Sequence, residues 1–273
     1  MAPWNSVASR TAATSNMSPR LIAALPAYNE EECLPPLVQA FAELFKTLPP
    51  GTNPIIIVVD DGSKDRTADV ARELAKKYPV KLIQHQGNKG LGEAIKTGLR
   101  GALAESTSPD DIIICMDADD THPPSYVVEM LKHTQAGADI VIASRYRKGS
   151  KQIGVPLHRQ AMSLGALLLF KVFLGLRGVR DFTCGFRAYR AGLITRGFAK
   201  YGDDIITRNG FACTDQLLVN LVCLGGVSIK EIPFVLRYDR KVGPSKLNLG
   251  VTIGETMKLL VDGRRKLKQA KII

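Results

Sequence analysis

The run Ile55-Ile56-Ile57-Val58-Val59, closed by Asp60-Asp61-Gly62-Ser63, decides the fold. A run of β-branched residues suits a strand buried on both faces, and the acids, glycine and serine that follow are turn formers. Residues 65–78 continue at helical spacing, with Asp65 the expected N-cap. Strand, polar turn and crossover helix make one unit of an open α/β sheet. The unit repeats outward in both directions. Upstream, 21–25 reads as a buried strand, broken at Pro26 and Asn29 and followed by a helix over 31–48. Downstream come a short strand over 80–84, a Gly-rich turn into a helix over 90–104, a strand over 112–116 ending at Asp117, a helix over 125–135 and a strand over 140–143. Such alternation predicts a mostly parallel, Rossmann-like sheet flanked by helices, with ligands beyond the carboxyl ends of the strands. Three polar clusters fall there: 26–30, 60–65 and 117–122. The second half is less regular: apolar helices over 164–176 and 211–224, strand character over 227–235 with Pro233 suggesting an edge, and a helix over 252–268. No repeat or composition break divides the chain. A single domain is expected over 19–250, followed by a basic amphipathic C-terminal helix over 251–273.

The chain has 273 residues, 45% of them hydrophobic, enough for a sizeable core. Its five cysteines, Cys33, Cys115, Cys184, Cys213 and Cys223, are scattered and form no Cys-x-x-Cys pair. This argues against a disulfide framework or structural zinc and for a reducing compartment. The net charge is +11. From Arg237 onward ten basic residues face three acidic ones. That surplus suits an anionic membrane surface or a polyanion, or is a solvated tail. Nucleic acid is disfavoured, because the basic residues are not interleaved with aromatics. No uninterrupted apolar stretch reaches the roughly 18–20 residues of a membrane span; the best candidate, 164–176, contains Lys171. Residues 1–18, rich in Ser, Ala and Thr and free of acids, read as a disordered leader, with Met17 an alternative start.

Asp117-Ala118-Asp119 places two carboxylates on one side of an extended segment. Hard cations take oxygen ligands, and Mg²⁺ uses one or two carboxylates plus substrate phosphates. The bland alternative is a solvated turn. Asp60 and Asp61 either accept hydrogen bonds from a ribose or base, or serve turn and cap chemistry. Asn88-Lys89-Gly90-Leu91-Gly92 either cradles an anion with Lys89 and free backbone N–H groups, or supplies close-approach glycines.

Taken together, Pro26-Ala27-Tyr28-Asn29-Glu30, Asp60-Asp61-Gly62-Ser63, Asn88-Lys89-Gly90-Leu91-Gly92-Glu93-Ala94 and Asp117-Ala118-Asp119 resemble, in order and spacing, the family 2 glycosyltransferases. The likeness spans about residues 20–145. It implies a GT-A-type fold, a nucleoside-diphosphate sugar donor, Mg²⁺ or Mn²⁺, and inversion at the anomeric carbon. Ser144-Arg145-Tyr146, the stretch from His158-Arg159 to Ser163-Leu164-Gly165-Ala166, the stretch from Asp181-Phe182-Thr183-Cys184-Gly185-Phe186-Arg187 to Arg190, and Gly243-Pro244-Ser245-Lys246-Leu247 are similar to the dolichyl/polyprenyl-phosphate mannose synthases.

That likeness implies GDP-mannose as donor and a polyprenyl or dolichyl phosphate as acceptor. It implies donor contacts at Pro26, Tyr28, Glu30, Asp60, Asp61, Lys89, Gly90, Asp117 and Ala118, and metal contacts at Asp117, Asp119 and Thr121. Arg159 and Ser163 would hold the lipid phosphate, and Arg240 and Lys246 would reach phosphates from a mobile loop; Asp119, Arg159, Arg240 and Lys246 are the expected catalytic set. Two departures stand out. Thr121, after an extra acid at Asp120, occupies a position where family members often carry Gln. Asp215-Gln216 stands where the family tends to carry Glu. A peripheral position on the cytoplasmic face of a membrane follows, the endoplasmic reticulum in a eukaryote, with a membrane-bound partner subunit left open. The run 164–176 either lies at that membrane or is a core helix. Two other readings remain: a family 2 enzyme acting on a sugar or small-molecule hydroxyl from a UDP-sugar, with Asp215 as base, and a non-catalytic nucleotide-sugar or nucleic-acid binder.

Overall fold

In the computed structural model, residues 18–176, 178–208, 210, 212–242 and 249–273 are described, without side chains at 249–252. Nearly all of the expected leader, and Lys246 with its loop, fall outside these residues. The chain order is β1 (Leu21–Ala27), α1 (Leu34–Phe45), β2 (Ile55–Asp60), α2 (Thr67–Ala75), β3 (Val80–Gln84), α3 (Leu91–Glu105), β4 (Ile112–Cys115), α4 (Val127–Gln135) and β5 (Ile140–Ser144). Then follow β6 (Lys151–Ile153), α5 (Leu157–Leu174), β7 (Arg187–Arg190), α6 (Ala191–Tyr201), α7 (Ala212–Val222), β8 (Ile229–Pro233), β9 (Val235–Arg237) and α8 (Leu249–Gln269). The main sheet runs β3-β2-β1-β4-β7-β5-β8, and β6 pairs with β9 apart from it. β7 is antiparallel to both neighbours, while the other pairings in the sheet are parallel. The architecture is the expected single α/β domain with a mostly parallel sheet.

β1 and β4 are buried at every position, and β2 nearly so, because helices cover both faces. α1 turns Leu34, Leu37, Val38, Phe41 and Leu44 inward, and α3 turns Ile95, Leu99 and Ala102 inward. α3 lies close to the sheet where it carries Gly101: a Cβ there would stand 2.7 Å from Ile83 Cδ1. Every cysteine is buried and free.

Several expectations needed correction. α1 starts at Leu34 rather than 31, because the Glu30 carbonyl accepts from the N–H groups of Cys33 and Leu34 and closes a turn first. Pro35 and Pro36 then fill first-turn positions that have no helical acceptor for an N–H. α2 starts at Thr67, with Asp65 reaching the Thr67 N–H from two residues upstream (2.9 Å). β7 was missed because its first residue, Arg187, is a wholly buried cation that breaks the apolar signature. β6 and α6 were not foreseen either. Pro233 does lie on an edge strand, β8.

The largest correction concerns α5. It begins seven residues before the apolar run, and its 18 residues make it long and apolar enough, by length and composition, to cross a membrane. His158 and Arg159 interrupt the hydropathy but not the helix. It is not a core helix: only Phe170 and Leu174 are buried, and left-handed Gly175 ends it.

Candidate functional site

The carboxyl ends of the adjacent strands β1, β2 and β4 bring the three polar clusters side by side. Pro26 is buried in β1, and Tyr28 follows it half-buried. Asn29 adopts φ 52°, a left-handed conformation that its short amide tolerates. Its backbone N–H donates to Ser63 Oγ (2.9 Å), its side-chain oxygen accepts from Lys64 N–H (2.8 Å), and the Glu30 N–H donates to Thr67 Oγ1 (2.8 Å). These bonds lock the loop after β1 to the loop after β2.

The two neighbouring aspartates divide the work. Asp61 Oδ1 accepts from Lys89 N–H (2.9 Å) and lies 2.7 Å from His85 Nδ1, while Asp61 Oδ2 accepts from Gly90 N–H (2.8 Å). His85 Nε2 is 3.0 Å from Thr97 Oγ1, so the imidazole bridges Asp61 to α3. Asp61 therefore shapes the Gly-rich turn from inside. Asp60 accepts from Ser63 N–H through Oδ1 (3.1 Å), and its buried Oδ2 has no hydrogen-bond partner among the described residues. Gly62 (φ 68°) packs so close to Gly87 and Asn88 that a Cβ would overlap their backbone. Lys89 is exposed and Gly90 half-buried above these carboxylates.

The segment after β4 carries the acidic loop. Ala118 is buried, and Asp117, half-buried, faces the backbone at Gly185. Asp119 Oδ1 accepts from the Thr121 hydroxyl (2.7 Å) and N–H (3.2 Å). Its Oδ2 is paired with the Lys241 ammonium. Burial raises the Asp119 carboxyl, and Lys241 with its neighbours outweighs that effect, so it ionises below the usual carboxylate range. Thr121 thus orients Asp119. His122 is buried between Phe186 and Phe234, with its pKa pushed down to about 4 by desolvation, so it stays neutral. Among the described residues no three His, Cys, Asp or Glu side chains gather into a self-sufficient cage. A cation held by one or two carboxylates and by substrate phosphates needs no such cage. The ionised Asp119 and its ammonium partner mark a place built for positive charge.

The second half supplies cations around this loop. Arg145 makes a two-pronged bond to buried Asp181, through Nε to Oδ2 (2.8 Å) and NH2 to Oδ1 (2.7 Å), and also reaches Thr183 Oγ1 (2.5 Å). The Glu231 carboxylate accepts from the N–H groups of Arg180 and Asp181 and pairs with Arg147 (3.0 Å). This ion network fixes Tyr146, whose hydroxyl lies 2.5 Å from Ser163 Oγ on α5. Arg159, one turn earlier, donates from NH1 to the Tyr238 hydroxyl (2.7 Å), with its guanidinium 5.5 Å from that ring. Arg240 is exposed and lies 3.8 Å from Asp120. Of the residues inferred from sequence, Asp117, Asp119, Thr121 and Arg240 share one locality, and Tyr238 links it to Arg159. Asp215, the candidate base, is 2% exposed and sits 3.7 Å from Arg187, with its pKa pushed up to about 8 by burial against the pull of Arg187. Gln216 is a backbone clamp, accepting from Thr207 and Arg208 N–H.

Sequence reasoning missed Lys241, Tyr238, His85 and Asp181 as organisers. Lys241 carried a signal as a second cation beside Arg240, and Asp181 as the start of a family-like stretch; the roles of all but Lys241 depend on contacts across 12 to 79 residues of chain.

The model of the family described as Glycosyl transferase family 2 matches residues 23–198. The chain belongs to that family. A dolichol-phosphate mannosyltransferase of Pyrococcus furiosus is 35% identical over 236 residues, 86% of this chain and 60% of that protein. The chain thus spans about three-fifths of that relative's length. A polyprenol monophosphomannose synthase of Mycolicibacterium smegmatis is 32% identical over 247 residues, 90% of this chain and 87% of that one. The glucosyl-3-phosphoglycerate synthase of Mycobacterium tuberculosis, solved with Mn²⁺ and UDP-glucose, shares the fold, with a TM-score of 0.58 at 20% identity over 94% of this chain and 80% of that chain.

This glycosyltransferase also carries an apolar surface beside the site. On α5, Leu164, Leu168 and Val172 are 58–63% exposed, and on α8 Ile253, Met257 and Val261 are exposed too. The two helices touch where Gly263 faces Leu174 and where Arg264 NH1 donates to the carbonyls of Val172 and Phe173, the last turn of α5. Leu259, Leu260 and Leu267 anchor α8 in the core. Lys171, Lys258, Arg264 and Arg265 stand along the same pair of helices.

Proposed function

We propose that this glycosyltransferase moves mannose from GDP-mannose to a polyprenyl or dolichyl phosphate at the cytoplasmic face of a membrane. The observation that carries the reading is the placement of Arg159 and Ser163. Both lie in the first two turns of an exposed apolar helix, and Tyr238 ties Arg159 to the segment that reaches Asp119. A lipid acceptor has two parts, an anionic head and a long apolar chain, and α5 offers a match for each. The named activities of the Pyrococcus and Mycolicibacterium relatives support the same acceptor class and the mannosyl donor.

Asp117 and Asp119 would hold Mg²⁺ or Mn²⁺ beside the donor diphosphate, and the cation would offset the charge of the leaving nucleotide. The loops at 26–30, 60–61 and 88–90 would hold the nucleotide, with the orphaned Asp60 oxygen as an acceptor for a donor N–H. Arg159, Ser163 and Tyr146 would orient the acceptor phosphate. A phosphate monoester has its second pKa near 6, so at neutral pH it is already an oxyanion. One of its oxygens attacks the anomeric carbon as the bond to the nucleoside diphosphate breaks on the opposite face, inverting the configuration. No proton is removed, so no general base is needed. The burial of Asp215 away from solvent speaks against the hydroxyl-acceptor alternative, which does need one. The exposed α5 and α8 faces with their flanking cations would rest on an anionic membrane.

The test is incubation with radiolabelled GDP-mannose, Mn²⁺ and undecaprenyl phosphate, followed by organic extraction, in parallel with UDP-sugars and soluble glycan acceptors. Label entering the lipid phase only with the polyprenyl phosphate is the expected result. Transfer to soluble hydroxyls instead would refute the reading.

A further inference from the structure

The segment 237–242 lies across the acidic loop and is fastened at three points. Arg237 N–H donates to the Thr121 carbonyl (2.9 Å), Arg240 faces Asp120 (3.8 Å), and the Lys241 ammonium pairs with Asp119 Oδ2. Asp119 has one oxygen committed to Thr121, and Lys241 holds the other. The pair is largely shielded, the side chains being 14% and 11% exposed, so its attraction is little screened. The Lys241 ammonium stands on Asp119 where a divalent cation would be drawn by the same charge.

We infer that Lys241 is a built-in counter-cation of the metal site: its ammonium occupies Asp119 until a divalent cation displaces it, and the 237–242 segment moves with it. This rests on the reading that Asp119 helps to hold a cation. A divalent ion and an ammonium cannot share Asp119 Oδ2 at contact distance without strong repulsion, so one must leave. Lys241 lies three residues after Tyr238, whose ring is 6.0 Å from the Lys241 ammonium and whose hydroxyl holds Arg159. Displacing Lys241 therefore shifts Tyr238, and with it the guanidinium that Tyr238 orients. Loading the donor side brings Tyr238 and Arg159 together toward the acceptor phosphate, and Lys241 itself becomes free to face phosphate oxygens. The enzyme would then bind metal and donor before acceptor.

The test needs no turnover. Mn²⁺ binding to the full chain without substrates is followed by the loss of the free-ion electron paramagnetic resonance signal. Lys241→Met should bind Mn²⁺ about tenfold more tightly than wild type, the factor that ~1.4 kcal/mol makes. Lys241→Gln gives a second variant without the charge and should do the same, while Lys241→Arg, which keeps it, should stay within about threefold of wild type. Asp119→Asn should weaken binding. If Asp119→Asn weakens binding but both uncharged variants match or fall below wild type, the Lys241 inference is wrong and the metal reading stands. If Asp119→Asn leaves Mn²⁺ binding unchanged, the metal assignment fails and the inference fails with it.

Discussion

Replacing Arg159 by Ala should damage acceptor use and spare donor use. Arg159 projects from the first turn of α5, and the hydrogen bond recorded for its side chain goes to the Tyr238 hydroxyl at 2.7 Å. Arg159 reaches the acidic loop at 117–119 only indirectly, through Tyr238 and Lys241, among the described residues, while the donor is proposed to bind directly at 26–30, 60–61, 88–90 and 117–119. A charge-assisted contact to a phosphate is typically worth about 1.5–3 kcal/mol. With 1.4 kcal/mol to a factor of ten, the acceptor kcat/KM should fall by roughly ten- to a hundredfold. Tyr238→Phe removes only the oxygen that holds the guanidinium in place, so its loss should be smaller, about three- to tenfold, in line with one neutral partner. The double variant should be no worse than Arg159→Ala alone, because Tyr238 acts on the acceptor through Arg159. Arg159→Lys should recover activity only in part, since an ammonium cannot make a two-pronged contact. The assay is a pair of titrations, polyprenyl phosphate at saturating GDP-mannose and the reverse, on each variant. Equal losses in both titrations would give Arg159 a structural role. Full additivity in the double variant would break the proposed chain from Tyr238 to Arg159. No loss in either titration would make Arg159 an ordinary surface residue.

Asp117→Asn should keep the wild-type circular dichroism spectrum and lose Mn²⁺-dependent donor binding by calorimetry; unchanged binding at low Mn²⁺ would remove Asp117 from the metal site. The Asp215 carboxyl, raised to about 8 by burial, is protonated in the fold at neutral pH, whereas the unfolded chain ionises it near ~3.9. Its contribution to stability is thus fully present below about pH 4 and is lost as pH rises through about 8. Asp215→Asn, which cannot ionise, should gain Tm relative to wild type between pH 5 and 8 and keep transferase activity; a catalytic base at this position would instead cost activity by orders of magnitude. Binding to anionic vesicles should fall as salt rises, each Lys or Arg near the surface contributing about 1 kcal/mol. Leu164→Ser with Leu168→Ser should weaken sedimentation with vesicles further, and unaltered binding of that variant would take α5 off the membrane.

Much of the sheet was legible from local pattern because strands buried on both faces leave continuous apolar runs rich in β-branched residues, as at 55–59 and 112–116. The polar clusters at 26–30, 60–63 and 117–119 were legible for a related reason. In such a sheet the strand ends are the one place where the core stops and ligand chemistry begins. The limits were equally physical. β7 was hidden because Arg187 sits wholly buried in a strand, its guanidinium donating to the Thr214 and Phe182 carbonyls. The extent of α5 was hidden because a helix continues through His158 and Arg159 although hydropathy does not.

The sequence by itself determined the α/β class, the order of the first strands, and the identity of the acids at their ends, since each depends on neighbours within about one element of chain. Only the tertiary structure decided what those acids do. Asp60 and Asp61 are adjacent and chemically identical, yet one keeps a buried oxygen without a partner while the other is consumed by His85, Lys89 and Gly90. Asp119 meets Lys241 across 122 residues of chain, and Arg159 meets Tyr238 across 79. Whether a carboxylate is spent inside the protein or left for a ligand depends on which partners the fold brings within hydrogen-bond reach, and spacing along the chain carries no record of that.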